Sequence, residues 1–213
     1  MNLNKNIILY HGSKGGLKEN IGIKSRKECE FGSGFYMATM KEDPLTLIST
    51  FDNPILYTLE LDTSCLNAYE FKHDLEWALF VAYNRGYLEE CKNTDLYKKF
   101  ENINKSYDLL AGYIADDRMF YVLDAFFEGD ITDIVLLKSL SALKLGRQYV
   151  AKTDKACKNI TIINQELLTE NQIKHYKERG VKNRHEGTQL SRVMLQKYRR
   201  EGKYIDEILV GEI

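Results

Sequence analysis

The sequence predicts an α+β fold, one domain carrying a helical C-terminal extension. Three observations point there. Short apolar runs with strand-like alternation gather at the two ends of the first 168 residues, runs with four-residue spacing fill the middle, and beyond Leu168 the chain becomes charged and helical. With 213 residues, 44% of them hydrophobic, the chain is long enough to bury one core of ordinary size. The expected division is residues 1–168 as the folded body and 169–213 as a basic, mainly helical extension.

Taken in order, Asn6 to His11 reads as a short buried strand, broken by the stretch Gly12 to Gly16. Phe31 to Thr39, "FGSGFYMAT", is a second strand entered through two glycines, and a helix is expected after it. Pro54 to Asp62, "PILYTLELD", alternates as a third strand. Asp74 is a plausible N-cap for a helix whose Leu75, Leu79, Tyr83 and Tyr87 share one face. "YDLLAGYIADD" (107–117) is strand-like up to Ala115. Asp116 then caps a helix with Met119, Leu123 and Phe127 inward and Gly129 as its stop. Thr132 to Leu145 reads as another helix, "RQYVAK" and "NITIINQELL" as closing strands. In the tail, Leu190, Val193, Met194 and Tyr198 form an apolar stripe.

Composition narrows the classes. No apolar run approaches the ~20 residues that span a bilayer, so no membrane partner is expected. No apolar stretch of signal-peptide length follows the opening "MNLNKN". Cys29, Cys65, Cys91 and Cys157 are dispersed, with no CxxC pair, which fits reduced thiols in a cytoplasm and argues against a metal cluster. The net charge of −1 conceals an asymmetry: between Gln172 and Tyr204, ten Lys/Arg face three acids, so this stretch carries +7 and the remainder −8. A basic end on an acidic body is either a solvated helical face or a footprint for nucleic acid or an acidic protein.

Familiar motifs are absent. "FGSGFY" lacks the third glycine of a dinucleotide fingerprint and leads into a strand, and no P-loop, HExxH or nucleophile elbow is present. What remains is "LYHGS" with "FGSGFYMAT". A histidine at a strand end offers one donor and one acceptor, which suits a ribose hydroxyl. Gly12 lets a flat ligand lie against its backbone, and Tyr36 can stack on an aromatic ring for roughly 0.5–1.5 kcal/mol beyond burial. Each residue alone also has a structural reading, a satisfied histidine or a core tyrosine; together they point to a pocket.

"LYHGS … FGSGFYMAT" resembles the first two signature strands of the ADP-ribosyltransferase superfamily, on its PARP-like and diphtheria-toxin-like side. It is similar still more closely to a bacterial family of that fold in which stretches like "KSRKECEFGSGFY" and "YDLLAGYIADD" recur. The resemblance covers about the first 165 residues and implies a split β-sandwich with flanking helices that grips bent NAD⁺. It implies that His11 contacts a ribose hydroxyl, Gly12 the nicotinamide amide, and that Tyr36 stacks on the nicotinamide ring. Ser13 and Arg26 then hold the adenosine and phosphate side, with Gly34 and Phe35 as further cofactor-binding residues. Two departures stand out. Gln148 occupies the place of a glutamate, keeping a carbonyl acceptor but supplying no charge and no base. Pro44 and Leu47 stand where relatives carry a serine and a second stacking tyrosine. Asp116 and Asp117 are alternative carboxylates for acid/base work, or helix caps.

The resemblance therefore implies a mono-ADP-ribosyltransferase, NAD⁺ as its substrate and no metal. The acceptor is macromolecular, RNA or DNA favoured over protein by the basic tail. By analogy of family, the setting is a bacterial toxin or phage-defence effector, with an antitoxin as a further partner. The competing readings are a non-catalytic module that binds NAD⁺ or ADP-ribose, and an RNA 2′-phosphate-removing enzyme of the same fold, for which Arg26 alone is a thin phosphate grip.

Overall fold

A computed structural model describes residues 6–17, 21–25, 27–114, 117–142 and 146–210. The fold is α+β: seven strands in one sheet, with helices on it. The strands are β1 (Asn6–Ser13), β2 (Phe35–Ala38), β3 (Ile55–Asp62), β4 (Ala68–Glu70), β5 (Leu109–Tyr113), β6 (Arg147–Ala151) and β7 (Ile160–Leu167). Their order is β4-β5-β6-β2-β1-β3-β7, antiparallel except between β4 and β5.

The joints in this sheet are unequal. β1 pairs with β3 at eight register positions, Asn6–Asp62 through Ser13–Ile55. It pairs with β2 at one, Tyr10–Ala38. The sheet is thus two blocks, β4-β5-β6-β2 and β1-β3-β7, joined through a single position.

Alternation along the strands divides the apolar residues between faces. Leu110 and Val150 join Phe31, Phe71, Trp77, Phe80, Phe100 and Phe126 in the largest core cluster. Leu109, Ala111, Tyr149 and Ala151 point the other way, with Leu9, Met37, Leu59 and Leu61. The first face is covered by α1 (Glu42–Ile48), α2 (Leu75–Asn84), α3 (Asp95–Ser106), α4 (Asp117–Phe127) and α5 (Asp133–Ala142). A short α6 (Asp154–Lys158) supplies Ala156 and Cys157 to the opposite cluster.

Caps set several boundaries. The Asp74 carboxylate accepts from the Trp77 N–H at 3.2 Å, opening α2 as its sequence predicts. α2 is buried on nearly every side, Trp77 through Ala82, and ends before Tyr87, which is exposed. Thr94 caps α3, a helix the sequence reading passes over although Leu96, Tyr97, Phe100 and Ile103 along it pack on the core. Strand β4, three residues long, has too little pattern to be read. Gly129, at φ +79°, follows the end of α4. The end expected at Leu145 for α5 falls on residues 143–145, outside the described residues.

The extension is one long helix, α7 (Glu170–Tyr198), and a short α8 (Ile205–Val210). Thr169 and Gln172 form a capping box at its start. Leu190, Met194 and Tyr198 pack on the largest core cluster, while Ile173 and Tyr176 pack with Leu45, Ile48, Leu56 and Leu168. Val193, read as part of the stripe, is 55% exposed: the inward positions recur every fourth residue, and Val193 falls on the neighbouring face. The turn after α7 is tied down, since the Thr132 hydroxyl donates to the Glu201 carbonyl at 2.6 Å and the Lys203 N–H to Asp133 at 2.8 Å.

Candidate functional site

The site lies where β1 and β2 part. Continuing the register from Tyr10–Ala38 would set Gly12 opposite Tyr36, but that pair does not form. Instead the His11 ring enters the gap, and its Nδ1–H donates to the Tyr36 carbonyl at 2.7 Å. A carbonyl can only accept, so this contact fixes the tautomer: Nδ1 carries the proton and Nε2 is the acceptor. The ring stacks on Phe35 at 4.3 Å between centroids. Burial pushes the imidazole below its ordinary pKa, with the Tyr36 carbonyl pulling the other way, which favours this neutral form.

Tyr36 holds the turn that precedes its own strand. Its hydroxyl donates to the Gly32 carbonyl at 2.7 Å and accepts from the Phe31 N–H at 3.0 Å. Burial raises the phenol well above its usual range. The hydroxyl is thus spent on structure, and the ring is what Tyr36 offers a ligand. Lys152 ties the same turn through its ammonium and the Phe31 carbonyl, and burial pushes its pKa down to about 8.

Two cavities open from this point, and both are lined by His11, Gly12 and Tyr36. The smaller, about 280 Å³, has a floor built by one row across the sheet: Tyr10, Ala38 and Gln148 are register partners on successive strands. Directly opposed residues point to the same face, and Gly12 and Tyr36 lie two positions away along that face. The roof is α1, through Pro44, Leu47 and Ile48. The roof sits so low that a Cβ on Gly12 would meet Ile48 Cγ2 at 2.6 Å and the Pro44 carbonyl at 3.1 Å. Gly12 is therefore required by the close approach of α1.

Gln148 is 6% exposed and donates its amide to the Tyr113 carbonyl at 3.2 Å. Its carbonyl oxygen has no protein partner among the described residues, and the residue lines the cavity. Two carboxylates also line this cavity, Glu30 and Asp43, and no Lys or Arg does among the described residues. Burial pushes the Glu30 carboxyl up, with the hydrogen bond from its own backbone N–H and then the nearby Arg85 charge acting in the opposite sense.

The larger cavity, about 560 Å³, has the opposite character. Ser13, Lys14, Gly15, Gly16, Lys24, Ser25 and Gly34 line it, with no carboxylate among the described residues. Its loop is anchored by the Leu17 N–H donating to the Tyr57 hydroxyl at 2.9 Å, and its far wall by the Gly34 N–H donating to Ser25 Oγ at 2.8 Å. Gly34 approaches β6 closely, where a Cβ would meet Val150 Cγ1 at 2.4 Å. Lys14 lies over the Phe51 ring at 4.2 Å.

Of the residues singled out in the sequence, His11, Gly12, Tyr36 and Gln148 come together around the smaller cavity. Ser13, Gly34 and Phe35 join His11, Gly12 and Tyr36 around the larger. Phe35 is buried and acts chiefly as the plate beneath His11. Pro44 and Leu47 stand over the site as roof residues. Arg26 and Asp116 lie outside the described residues, and Asp117 begins α4, with its side chain outside them too. Glu30, Asp43, Lys14 and Lys24 are additions that sequence reasoning missed; in the sequence they are four charges among many. Among the described residues no three of His, Cys, Asp and Glu gather as metal ligands.

Comparison with known proteins gives one match. No curated protein and no solved structure matches the chain. A family profile described as "Protein of unknown function (DUF3990)" matches residues 7–162, from the first strand of the site to the edge strand β7. That span contains both cavities and stops short of α7, and on it the chain belongs to the DUF3990 family.

Proposed function

We propose that the cleft binds NAD⁺ and that the protein transfers single ADP-ribose units from it to a macromolecular acceptor. One observation carries the reading: two cavities of opposite chemistry meet at His11, Gly12 and Tyr36. The smaller, apolar and acidic, suits a flat cationic nicotinamide ring against Tyr36. The larger, rich in glycine and lysine, suits a diphosphate, whose oxygens take backbone N–H groups and ammonium charge. His11 Nε2 accepts from a nicotinamide-ribose hydroxyl, and the Gln148 carbonyl oxygen accepts from a second. The single-position joint between β1 and β2 supports the ADP-ribosyltransferase-like split sheet as the finer description of the fold.

In the reaction the bond between nicotinamide and ribose C1′ breaks, and its electron pair leaves with neutral nicotinamide. An acceptor atom bonds to C1′, and its proton goes to solvent or to a base that the acceptor brings. The protein's part is placement and a polar lining for a cationic, oxocarbenium-like transition state. Neutral Gln148 supplies no base, which suits transfer of one unit to an already nucleophilic acceptor. The acceptor we favour is nucleic acid, in a reducing cytoplasm. In support, α7, which carries Lys174 and Lys177, packs through Ile173 and Tyr176 on the cluster that includes Leu45 and the roof residue Ile48. A toxin or defence effector held in check by a partner protein is the setting we assign by family resemblance.

Gln148 also favours a second reading, a module that holds NAD⁺ without turnover. Nicotinamide release from NAD⁺ by purified protein, with and without cell extract, separates the two. Release that needs extract and falls with Gln148→Ala marks a transferase. Saturable binding with no release marks the module.

A further inference from the structure

The smaller cavity has a charge pattern that its apolar character does not require. Glu30 and Asp43 line it, without a Lys or Arg among the described residues. Glu30 is placed with care. The next residue, Phe31, has its N–H held by the Tyr36 hydroxyl and its carbonyl by Lys152, while the Glu30 carbonyl accepts from the Asn84 amide at 3.2 Å. The Glu30 carboxylate accepts from its own backbone N–H, and the Arg85 charge that acts on it is shared with Asp124 at 3.5 Å. The second feature is Gln148, 6% exposed, which lines the cavity with its amide N–H spent on the Tyr113 carbonyl. Two carboxylates lining an apolar cavity that no Lys or Arg enters among the described residues suit a ligand that brings positive charge.

We infer that Glu30 is the specificity-determining group of this site, selecting the cationic pyridinium form of nicotinamide against the neutral dihydropyridine. The inference rests on the NAD⁺ reading above and adds to it the residue that senses charge. A cation beside the half-buried Glu30 carboxyl favours the ionised carboxylate, so ring charge and Glu30 charge are coupled. Gln148 contributes acceptor geometry without charge, so the recognition moves from β6 to the turn before β2.

The test is calorimetric titration of the full chain with NAD⁺ and with NADH, on the wild type and on Glu30→Gln. The expected result is NAD⁺ bound at least about tenfold tighter than NADH by the wild type, with the ratio collapsing to within about twofold in Glu30→Gln through loss of NAD⁺ affinity alone. Equal binding of the two nucleotides by the wild type, or an unchanged ratio in the variant, overturns the role of Glu30 and leaves the NAD⁺ site standing. Binding of neither overturns both. Should Glu30→Gln fail to fold, the wild type decides alone. The N-methylnicotinamide cation must then compete for the site better than neutral nicotinamide; equal or weaker competition overturns the inference.

Discussion

The two compartments of the cleft share His11, Gly12 and Tyr36 and are otherwise built from different material. One is walled by sheet and helix, small, apolar and acidic; the other is loop, glycine and lysine. A single charged surface would imply a single charged partner. On the proposed reading, opposite charge on the two sides of one histidine matches a ligand cationic at one end and anionic at the other. The division falls where β1 exchanges the eight-position pairing it keeps with β3 for the one-position pairing it has with β2. Loss of strand pairing creates the opening, and the His11 ring occupies the vacated hydrogen bond.

The most damaging change to this arrangement is loss of the shared wall. Tyr36→Ala removes a half-buried ring together with the hydroxyl that bridges Phe31 and Gly32. It should cost about 3–5 kcal/mol of stability and abolish binding of both NAD⁺ and ADP-ribose. Tyr36→Phe keeps the ring and gives up only the two hydrogen bonds, so a loss of about 1–3 kcal/mol with binding retained is expected in denaturant melts and titrations. Equal loss of binding in the two variants would show that the ring does not touch the ligand.

Next in size is the charge difference between compartments. Lys14→Ala with Lys24→Ala should weaken NAD⁺ about tenfold and flatten the salt dependence of its binding. The same double variant should leave competition by the N-methylnicotinamide cation unchanged. If that competition weakens too, the cavities do not divide the ligand as described.

The smallest effect expected is a pH dependence set by His11. Its pKa lies below the ordinary 6.5, so NAD⁺ affinity should stay level from pH 8 to 6.5 and fall only in more acid solution, where Nε2 gains a proton and ceases to accept. Stability moves in the same direction. The unfolded histidine takes up a proton near its ordinary pKa while the buried one resists. The unfolded state then binds more protons, and stability present above pH 6.5 is lost as pH falls through the lowered value. His11→Asn removes the His11 share of both, leaving the contributions of His73, also lowered by burial, and of Glu30, raised by it.

Much of this cleft is legible in the sequence. A histidine ending an apolar strand, glycines before a tyrosine and a glutamine opening a late strand are unusual enough in place to be read as a set. Alternation assigns the strands on which they sit. The carboxylates are not legible: Glu30 and Asp43 are two of 31 acids, and only the turn before β2 and the packing of α1 turn them inward. The roof was half legible, since Pro44 and Leu47 can be placed by position while their approach to Gly12 depends on how α1 packs. α3 is a different case: Leu96, Phe100 and Ile103 recur at helical spacing, so its stripe is legible in the sequence although the expected elements leave it out. Val193 was drawn into the stripe of α7 because one helix face differs from its neighbour by a single position.

The most direct test of a divided nucleotide cleft is calorimetric titration of the purified chain with NAD⁺, beside His11→Ala shown by melting to be folded. The account predicts saturable, one-to-one binding in the wild type and at least about tenfold weaker binding in the variant. No binding by the wild type, or the same affinity in both proteins, would contradict it.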